Sequence, residues 1–203
     1  MNYEQMNNNK VTLSGTIVEE PKFSHEVFGE AFFESKIAVP RLSEQLDILP
    51  ITISEHLLKD YNISSGSVVS CTGQFRSYNK LDGEKSKLML TVFIREIIET
   101  NGEIFPNEIE LSGFICKSPM YRTTPFKREI CDMLVAVNRA YNKSDYIPCI
   151  AWGRNARFVK NMQVGESVQV VGRIQSREYQ KQIDENTTIT KTAYEVSISR
   201  IVV

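Results

Sequence analysis

Aromatic side chains recur along one predicted strand in the second half of the chain. Side chains alternate between the two faces of a strand, so Tyr146 and Trp152 share one face. The opposite face carries Ile147, Cys149 and Ala151, which are small or apolar and suit a core. The sequence therefore predicts that Tyr146 and Trp152 point outward from a sheet, where a ring can stack on another ring.

The loop before this strand adds a third ring between two cations. Tyr141 lies between Arg139 and Lys143 in the polar stretch that follows the preceding predicted strand. Rings interleaved with cations on an exposed sheet are typical of a platform for single-stranded nucleic acid, because every base has a π-face and every link a phosphate. An alternative that this stretch leaves open is that Trp152 caps one end of a barrel.

Charge is distributed unevenly along the chain. The 203 residues carry 24 Lys+Arg and 25 Asp+Glu, a formal net charge of −1. Residues 1–105 hold 10 Lys+Arg and 15 Asp+Glu, whereas residues 106–203 hold 14 and 10. The asymmetry indicates that the second half faces a polyanion. Ordinary surface variation is the alternative.

Composition and motifs argue against several classes of protein. No apolar run approaches the roughly 18 residues of a membrane span, and the start MNYEQMNNNK lacks the order of a signal peptide. Four cysteines without a CxxC pair and only two histidines argue against a zinc site. GxxxxGK[ST], HExxH and GxSxG motifs are missing from the sequence. We expect a cytoplasmic, non-enzymatic protein with reduced thiols, no metal and no cofactor.

The chain contains an internal repeat. Residues 11–15, VTLSG, match residues 109–113, IELSG, at an offset of 98. The same offset relates Pro50 to Pro148 and rises to 99 beyond that point. The sequence therefore predicts a duplicated unit. The predicted divisions are a disordered segment 1–8, unit 1 at 9–98, a linker at 99–106 and unit 2 at 107–203.

Each unit predicts five strands, with one short helix between the third and the fourth. That order describes the OB-fold, a Greek-key barrel that binds oligonucleotides. The predicted fold class is therefore all-β, as two tandem OB-fold units. The predicted elements are strands 10–18, 32–39, 47–53, 67–77 and 88–97 with helix 55–61, then strands 108–116, 130–137, 146–152, 167–177 and 193–202 with helix 155–161.

Glycines and prolines inside the predicted strands indicate local irregularities. Pro50 and Pro148 lie within the third strands, where a missing N–H predicts a bulge or a locally unpaired stretch. Glycine within a strand usually marks a bulge or a barrel bend. The glycines concerned are Gly15, Gly73, Gly113 and Gly172.

Five stretches of unit 2 form an ordered set over residues 107–201: NEIELSGFICKSPMYR, LVAVNRAY, DYIPCIAWGRNA, VGESVQVVGRIQSREY and YEVSISRI. This set resembles the bacterial single-stranded DNA-binding protein family. The resemblance implies base stacking in the loop after the second strand, at both ends of the third strand and at the end of the fourth. Those places hold Tyr141, Tyr146, Trp152 and Tyr179.

The predicted fourth strand of unit 2 adds cations beside these rings. Arg173, Gln175, Arg177 and Tyr179 alternate onto one face. A guanidinium group can neutralise a phosphate or lie flat on a base, and the alternative is a solvated face with ion pairs. The predicted phosphate-binding residues are Arg139, Lys143, Arg154, Arg173, Arg177 and Lys181.

Unit 1 departs from the aromatic pattern. At the four corresponding positions it holds Ser43, Ile48, Ser54 and Lys80. One ring and two cations remain on its fourth strand, at Arg76, Tyr78 and Lys80, and could bind weakly. We expect a degenerate copy that serves mainly as a structural partner for unit 2.

The leading hypothesis is non-catalytic, largely sequence-independent binding of single-stranded DNA, with RNA not excluded, in replication, repair or recombination at the nucleoid. The alternative is a protein-interaction module like the primosomal replication proteins, with weak or no DNA binding. The family commonly works with four barrels, so we expect a homodimer. Family members usually carry an acidic-tipped tail, whereas this sequence stops at Val203. Recruitment of repair proteins through such a tail is therefore not expected.

Overall fold

The computed structural model describes residues 7–83, 85–100, 102–184 and 187–202. These residues form β-strands with two short helices, and neither helix is long and apolar enough to cross a membrane. The elements are β1 (Asn9–Ile17), β2 (Lys22–Val27), β3 (Glu30–Pro40), β4 (Leu46–Ser54), α1 (Glu55–Asp60), β5 (Val68–Asp82), β6 (Lys85–Ile97), β7 (Glu108–Ile115), β8 (Met120–Thr123), β9 (Glu129–Arg139), β10 (Lys143–Trp152), α2 (Gly153–Val159), β11 (Ser167–Gln182) and β12 (Thr188–Val202).

The two halves have the same topology, and each contains a closed ring of five strands. In unit 1, here meaning β1–β6, β1 pairs with β3 and with β5, β3 pairs with β4, and β4 pairs in parallel with β6, which returns to β5. In unit 2, here meaning β7–β12, the corresponding ring runs β7-β9-β10-β12-β11. The predicted all-β fold class of tandem five-stranded barrels is confirmed.

Alternation along the strands builds each core. In β10 the side chains of Ile147, Cys149 and Ala151 are buried, as the sequence pattern predicts. The two barrel interiors are packed with branched aliphatic side chains such as Leu13 and Ile109. A strand with one face buried in this way holds its register, because a one-residue slip would expose the whole apolar set.

Strands β2 and β8 were not predicted from the sequence. Each pairs only along one side, β2 with β3 and β8 with β9, at the two ends of the sheet. Their side chains are mostly exposed. An edge strand with no buried face shows no apolar alternation, so the periodicity that predicted the other strands could not reveal these two.

The predicted bulge at Pro148 and Pro50 is wrong, since both third strands stay in register throughout. The Tyr146 N–H points away from β9 and donates to Ser77 Oγ at 2.7 Å. Hydrogen-bonded and non-hydrogen-bonded pairs alternate along an antiparallel ladder. Pro148, two residues further on and opposite Leu134, therefore also directs its ring nitrogen away from β9. No ladder bond to β9 is lost.

The register shifts of the fourth strands lie instead at glycines. They occur between Thr72 and Gly73 in β5 and between Val171 and Gly172 in β11. A Cβ added to Gly172 would come closer than 3.0 Å to the carbonyl oxygen of Ser197. Glycine is thus required there for the close approach of β12, in agreement with the predicted barrel bend.

The two units join through the first strand of each. β1 pairs antiparallel with β7, and Val11 faces Ile109, its own counterpart in the repeat. The junction therefore has approximate two-fold symmetry, like the self-complementary interface of a homodimer. One twelve-stranded sheet runs through both barrels.

Segments outside the barrels also make defined contacts. The predicted disordered segment 1–8 lies outside the described residues as far as residue 6. Asn8 donates from its amide to the Asn138 carbonyl at 2.8 Å, and its own carbonyl accepts the Ser112 N–H at 2.8 Å. In the predicted linker, the Phe105 N–H donates to Ser14 Oγ at 2.8 Å.

Candidate nucleic-acid interface

The outward face of β10 carries two of the predicted stacking rings. Tyr146 is 44% exposed and Trp152 is 37% exposed, whereas the alternate residues are buried in the barrel. Ile150 lies between them and is buried, although it belongs to the same face by alternation. The face therefore presents rings near both ends of the strand over an apolar floor.

Trp152 is anchored along one edge of its indole. It occupies the N-cap position of α2 and offers no side-chain cap bond. Its Nε1–H donates instead to Ser197 Oγ on β12 at 3.1 Å. This bond holds the indole across the neighbouring strand while more than a third of the residue remains in contact with solvent. The arrangement supports a stacking role better than the alternative of a barrel cap.

The other two predicted rings lie beyond the barrel wall. Tyr141 is 89% exposed in the turn between β9 and β10, where its φ is +61° and that of Asn142 is +53°. Few non-glycine residues adopt such left-handed values. Tyr179 is 38% exposed on the outer part of β11, with the Arg177 guanidinium carbon 6.0 Å from its ring centroid.

Three of the six predicted phosphate ligands are free to bind an anion. Lys143, Arg154 and Lys181 are exposed and form no ion pair with any residue that the structure describes. Arg154 lies in the first turn of α2 beside Arg157 and Phe158. All three therefore keep their charge exposed on unit 2.

Arg139 and Arg173 differ from these three cations because each forms an ion pair with a buried carboxylate. Arg139 pairs with the buried Asp145 at 3.1 Å, and Arg173 pairs with the buried Asp47 of unit 1 at 3.5 Å. A guanidinium that compensates a buried carboxylate is costly to remove from it. Both arginines therefore stabilise the junction between the units, and phosphate binding by them stays a prediction.

Asp47 is the centre of one half of this junction. The Arg41 guanidinium donates two hydrogen bonds to the Asp47 carboxylate, at 2.5 and 2.7 Å. The Ser176 N–H of β11 donates to Asp47 Oδ1 at 2.7 Å. The bond to Asp47 raises the pKa of Arg41. Burial, together with the adjacent Arg41 charge, lowers the pKa of Arg173. Asp47 thus supplies the acceptor that a neighbouring strand would otherwise give to the free edge of β11.

Asp145 repeats this arrangement on the other side of the pseudo-dyad. Its Oδ1 accepts the Ser77 N–H of β5 at 2.7 Å, and Ser77 Oγ accepts the Tyr146 N–H. Burial raises the pKa of the Asp145 carboxyl, while the Ser77 N–H and the Arg139 charge act in the opposite direction. The predicted stacking residue Tyr146 therefore lies directly beside unit 1.

Arg177, the remaining predicted phosphate ligand, is half-exposed and lies 3.4 Å from Glu195 Oε1. That carboxylate also accepts a bond of 2.8 Å from the buried Gln175 amide. Gln175 is thus part of the wall of the barrel. Arg177 keeps one side in solvent and remains available to a phosphate.

Arg122 is a further cation on the outward face that carries Trp152, and the sequence pattern did not predict it. Arg122 on β8 lies opposite Ile130, and Trp152 lies opposite the same residue from β10. Directly opposed residues of antiparallel strands share a face, so Arg122 and Trp152 flank Ile130 on the outward side. Arg122 is held by Asp132 at 2.7 Å. Arg122 could have been predicted only by predicting β8, and that edge strand shows no apolar alternation.

The unit 1 candidates are engaged with their own barrel. Arg76 lies over the Phe93 ring at 3.8 Å and donates to Gln74 Oε1 at 2.9 Å. Tyr78 donates from its hydroxyl to Glu34 at 3.3 Å, and its pKa is raised by burial and by that carboxylate. Lys80 is exposed.

Two closed five-stranded barrels, each with a short helix between its third and fourth strands, define an OB-fold protein. A crystal structure of a deletion mutant of the single-stranded DNA binding protein from Thermus aquaticus has this fold. It matches with a TM-score of 0.71 at 18% identity, over 96% of this chain and 93% of that one.

Residues 106–201 match the model of the "Single-strand binding protein family". The chain is 34% identical over 92 residues to single-stranded DNA-binding protein 1 of Staphylococcus aureus, covering 42% of this chain and 55% of that one. It is 30% identical over 96 residues to single-stranded DNA-binding protein 3 of Streptococcus agalactiae, covering 44% and 70%. The chain belongs to the single-strand binding protein family. It spans about half the length of the Staphylococcus aureus relative.

Proposed function

We propose that the protein binds single-stranded DNA on the outward face of unit 2, without catalysis and largely without regard to sequence. The observation that carries this proposal is the outward placement of Tyr146 and Trp152 over a buried floor on β10. Bases stack on these two rings, and on Tyr141 and Tyr179, each stack being worth roughly 1–3 kcal/mol. The names of the relatives support DNA as the ligand.

The phosphates follow the cations whose side chains remain exposed, whether unpaired among the described residues or, like Arg177, paired on one side only. These are Lys143, Arg154, Arg177 and Lys181. Each neutralised phosphate releases counterions, so affinity falls as salt rises, with a slope of about −0.7 per contact for single strands. Duplex DNA hides the faces of its bases and is a poor ligand. In the cell this activity protects single strands during replication, repair or recombination in the cytoplasm.

The test of the function uses the fluorescence of Trp152, the single tryptophan of the chain. Titration with oligo-dT is expected to quench this fluorescence, to saturate, and to require more oligonucleotide at high salt, because a base stacks on the indole while phosphates displace counterions. A folded protein whose fluorescence does not respond to oligo-dT would overturn the proposal in favour of a protein-interaction module.

Two lysine variants separate phosphate contacts from overall charge in the same titration. Lys143→Ala is expected to make the salt slope shallower by about 0.7, since one phosphate contact is lost. Lys59→Ala removes a lysine from α1, where it pairs with Glu55 at 2.7 Å. It changes the net charge equally and is expected to leave the slope unchanged. Equal salt slopes for both variants would argue against a phosphate contact at Lys143.

The proposal includes a homodimer that brings four barrels together. With the proposed boundaries of unit 1 at 9–98 and unit 2 at 107–203, each chain holds two OB units, so two chains supply four. We expect light scattering at micromolar concentration to give twice the mass of one chain. A mass equal to one chain would show that the pairing of β1 with β7 already satisfies the interface within a single molecule.

A further inference from the structure

Unit 1 carries a row of rings on its outward face that the sequence pattern did not reveal. The His25 ring stacks on Phe32 with centroids 5.3 Å apart and planes at 16°. Phe32 lies 5.4 Å from Phe93 with planes at 38°. The Arg76 guanidinium carbon is 3.8 Å from the Phe93 centroid and ends the row. We name these four residues the unit 1 ring row.

The register shows why unit 1 has no ring at Ser54, the position that corresponds to Trp152 of unit 2. In unit 2, Trp152 on β10 lies opposite Ile130 of β9, and one pair further on Ile150 faces Ser197 of β12. The corresponding pairs in unit 1 place Ser54 opposite Phe32 and Thr52 beside Phe93. Unit 2 carries its large ring on the central strand β10, whereas unit 1 carries rings on β3 and β6, the two neighbours of its central strand β4. Unit 2 therefore fills this site with Ile130, Trp152 and Ser197. Unit 1 fills the corresponding site with Phe32, Ser54 and Phe93.

The side-chain contacts agree with this correspondence of the two sites. In unit 2 the Trp152 indole reaches sideways to Ser197. In unit 1 the residue that corresponds to Ser197 is Phe93, and its ring approaches Phe32 across β4. The small residues Ser54 and Thr52 on β4 leave the space for this contact. Close packing demands such complementary changes of volume at neighbouring positions.

Local charge also favours an anionic ligand, despite the acidic composition of the first half. Arg76, Arg95 and Lys80 form no ion pair with any residue that the structure describes. Burial and the charge of the nearby Arg139 lower the pKa of Arg76 to about 10. Glu34 of unit 1 accepts bonds from Tyr78 and from Ser24 Oγ. Asp145, contributed by unit 2, is already paired.

We propose that the unit 1 ring row is a second binding face for single-stranded nucleic acid, with a base stacked on Phe93 and phosphates at Arg76, Arg95 and Lys80. This inference rests on the proposed function of unit 2 and extends it to the whole chain. In the free protein Arg76 covers Phe93. On binding, the guanidinium either carries the base on its plane or turns to a phosphate, and both arrangements are typical of arginine.

The test measures how many nucleotides one full-length chain occludes, with Trp152 as the reporter. One OB unit covers about 4–16 nucleotides. Phe93→Ser introduces the residue that unit 2 has at this position, and Phe93→Leu keeps apolar packing without a ring. Both variants are expected to reduce the occluded length on poly-dT to about half, while Trp152 quenching keeps its amplitude. Phe28→Ser, at an exposed turn, is the matched control and is expected to change nothing.

A second measurement separates this inference from the function of unit 2. In Trp152→Ala protein, binding of labelled oligo-dT is followed by anisotropy, and adding Phe93→Leu is expected to weaken it at least about 5-fold. Unchanged residual affinity, with unchanged occluded length in the single variant, would overturn the unit 1 face and leave unit 2 intact. Absent Trp152 quenching, together with anisotropy that depends on Phe93, would support unit 1 and refute unit 2.

Discussion

Trp152→Ala is expected to weaken oligo-dT binding by about 5- to 150-fold, because one stack of roughly 1–3 kcal/mol is lost. The loss should persist at every salt concentration, since stacking does not release counterions. The variant removes the fluorescent reporter, so anisotropy of a labelled oligonucleotide is the appropriate measurement. Trp152 is partly exposed and lies at the end of β10, so the barrel core is left in place.

A matched deletion elsewhere distinguishes stacking from a general loss of aromatic surface. Phe126 is almost fully exposed in the loop between β8 and β9. Phe126→Ala should therefore bind oligo-dT as the unaltered protein does. If Trp152→Ala also binds with unaltered affinity while remaining folded by circular dichroism, the stacking model for unit 2 is wrong.

The second large effect concerns stability and not binding. Asp47→Ala is expected to lower the free energy of unfolding by about 3–5 kcal/mol, because it breaks a buried ion pair by removing one partner. Arg41 and Arg173 would lose their shared carboxylate, and the Ser176 N–H its acceptor. Urea unfolding monitored by circular dichroism measures this change through the transition midpoint.

Two further variants show which part of the Asp47 contact matters. Asp47→Asn keeps an oxygen for the Ser176 N–H but removes the charge and the second acceptor, which receives the Arg41 Nε–H bond, so its loss of stability should be smaller than that of Asp47→Ala. Glu19→Ala removes one partner of an exposed pair, Glu19 and Lys36, and should cost no more than about 1 kcal/mol. An unfolding midpoint for Asp47→Ala equal to that of Glu19→Ala would refute the role of Asp47.

These two predictions concern two different surfaces, the stacking face of unit 2 and the junction between the units. The sequence pattern assigned cations of both surfaces to phosphate binding. The sequence places Arg139 beside Tyr141 just as it places Lys143, and it places Arg173 on the same strand face as Arg177, so the pattern cannot tell the paired arginines from the other cations. Their partners decide the matter. Asp47 lies 126 positions before Arg173 in the chain and reaches it only because the two barrels pack together. Unit 1 therefore contributes buried contacts to this junction and in addition carries its own ring row.

The sequence alone determined the features that depend on local periodicity. The repeat, the five strands of each barrel and the outward direction of Tyr146 and Trp152 follow from offsets and from alternation, which is a property of every extended strand. Burial along β10 agrees with that alternation. The fold class could therefore be predicted from the sequence pattern, and the family from the resemblance of five ordered stretches in unit 2.

Only the tertiary structure decided which residues meet across strands and across units. Phe32 and Phe93 are far apart in the chain and touch because β4 between them carries small residues. The edge strands β2 and β8 have no buried face and hence no pattern. The arginines at the junction are committed to carboxylates that the other unit helps to bury. Such contacts depend on long-range packing, which a pattern of neighbouring residues does not encode.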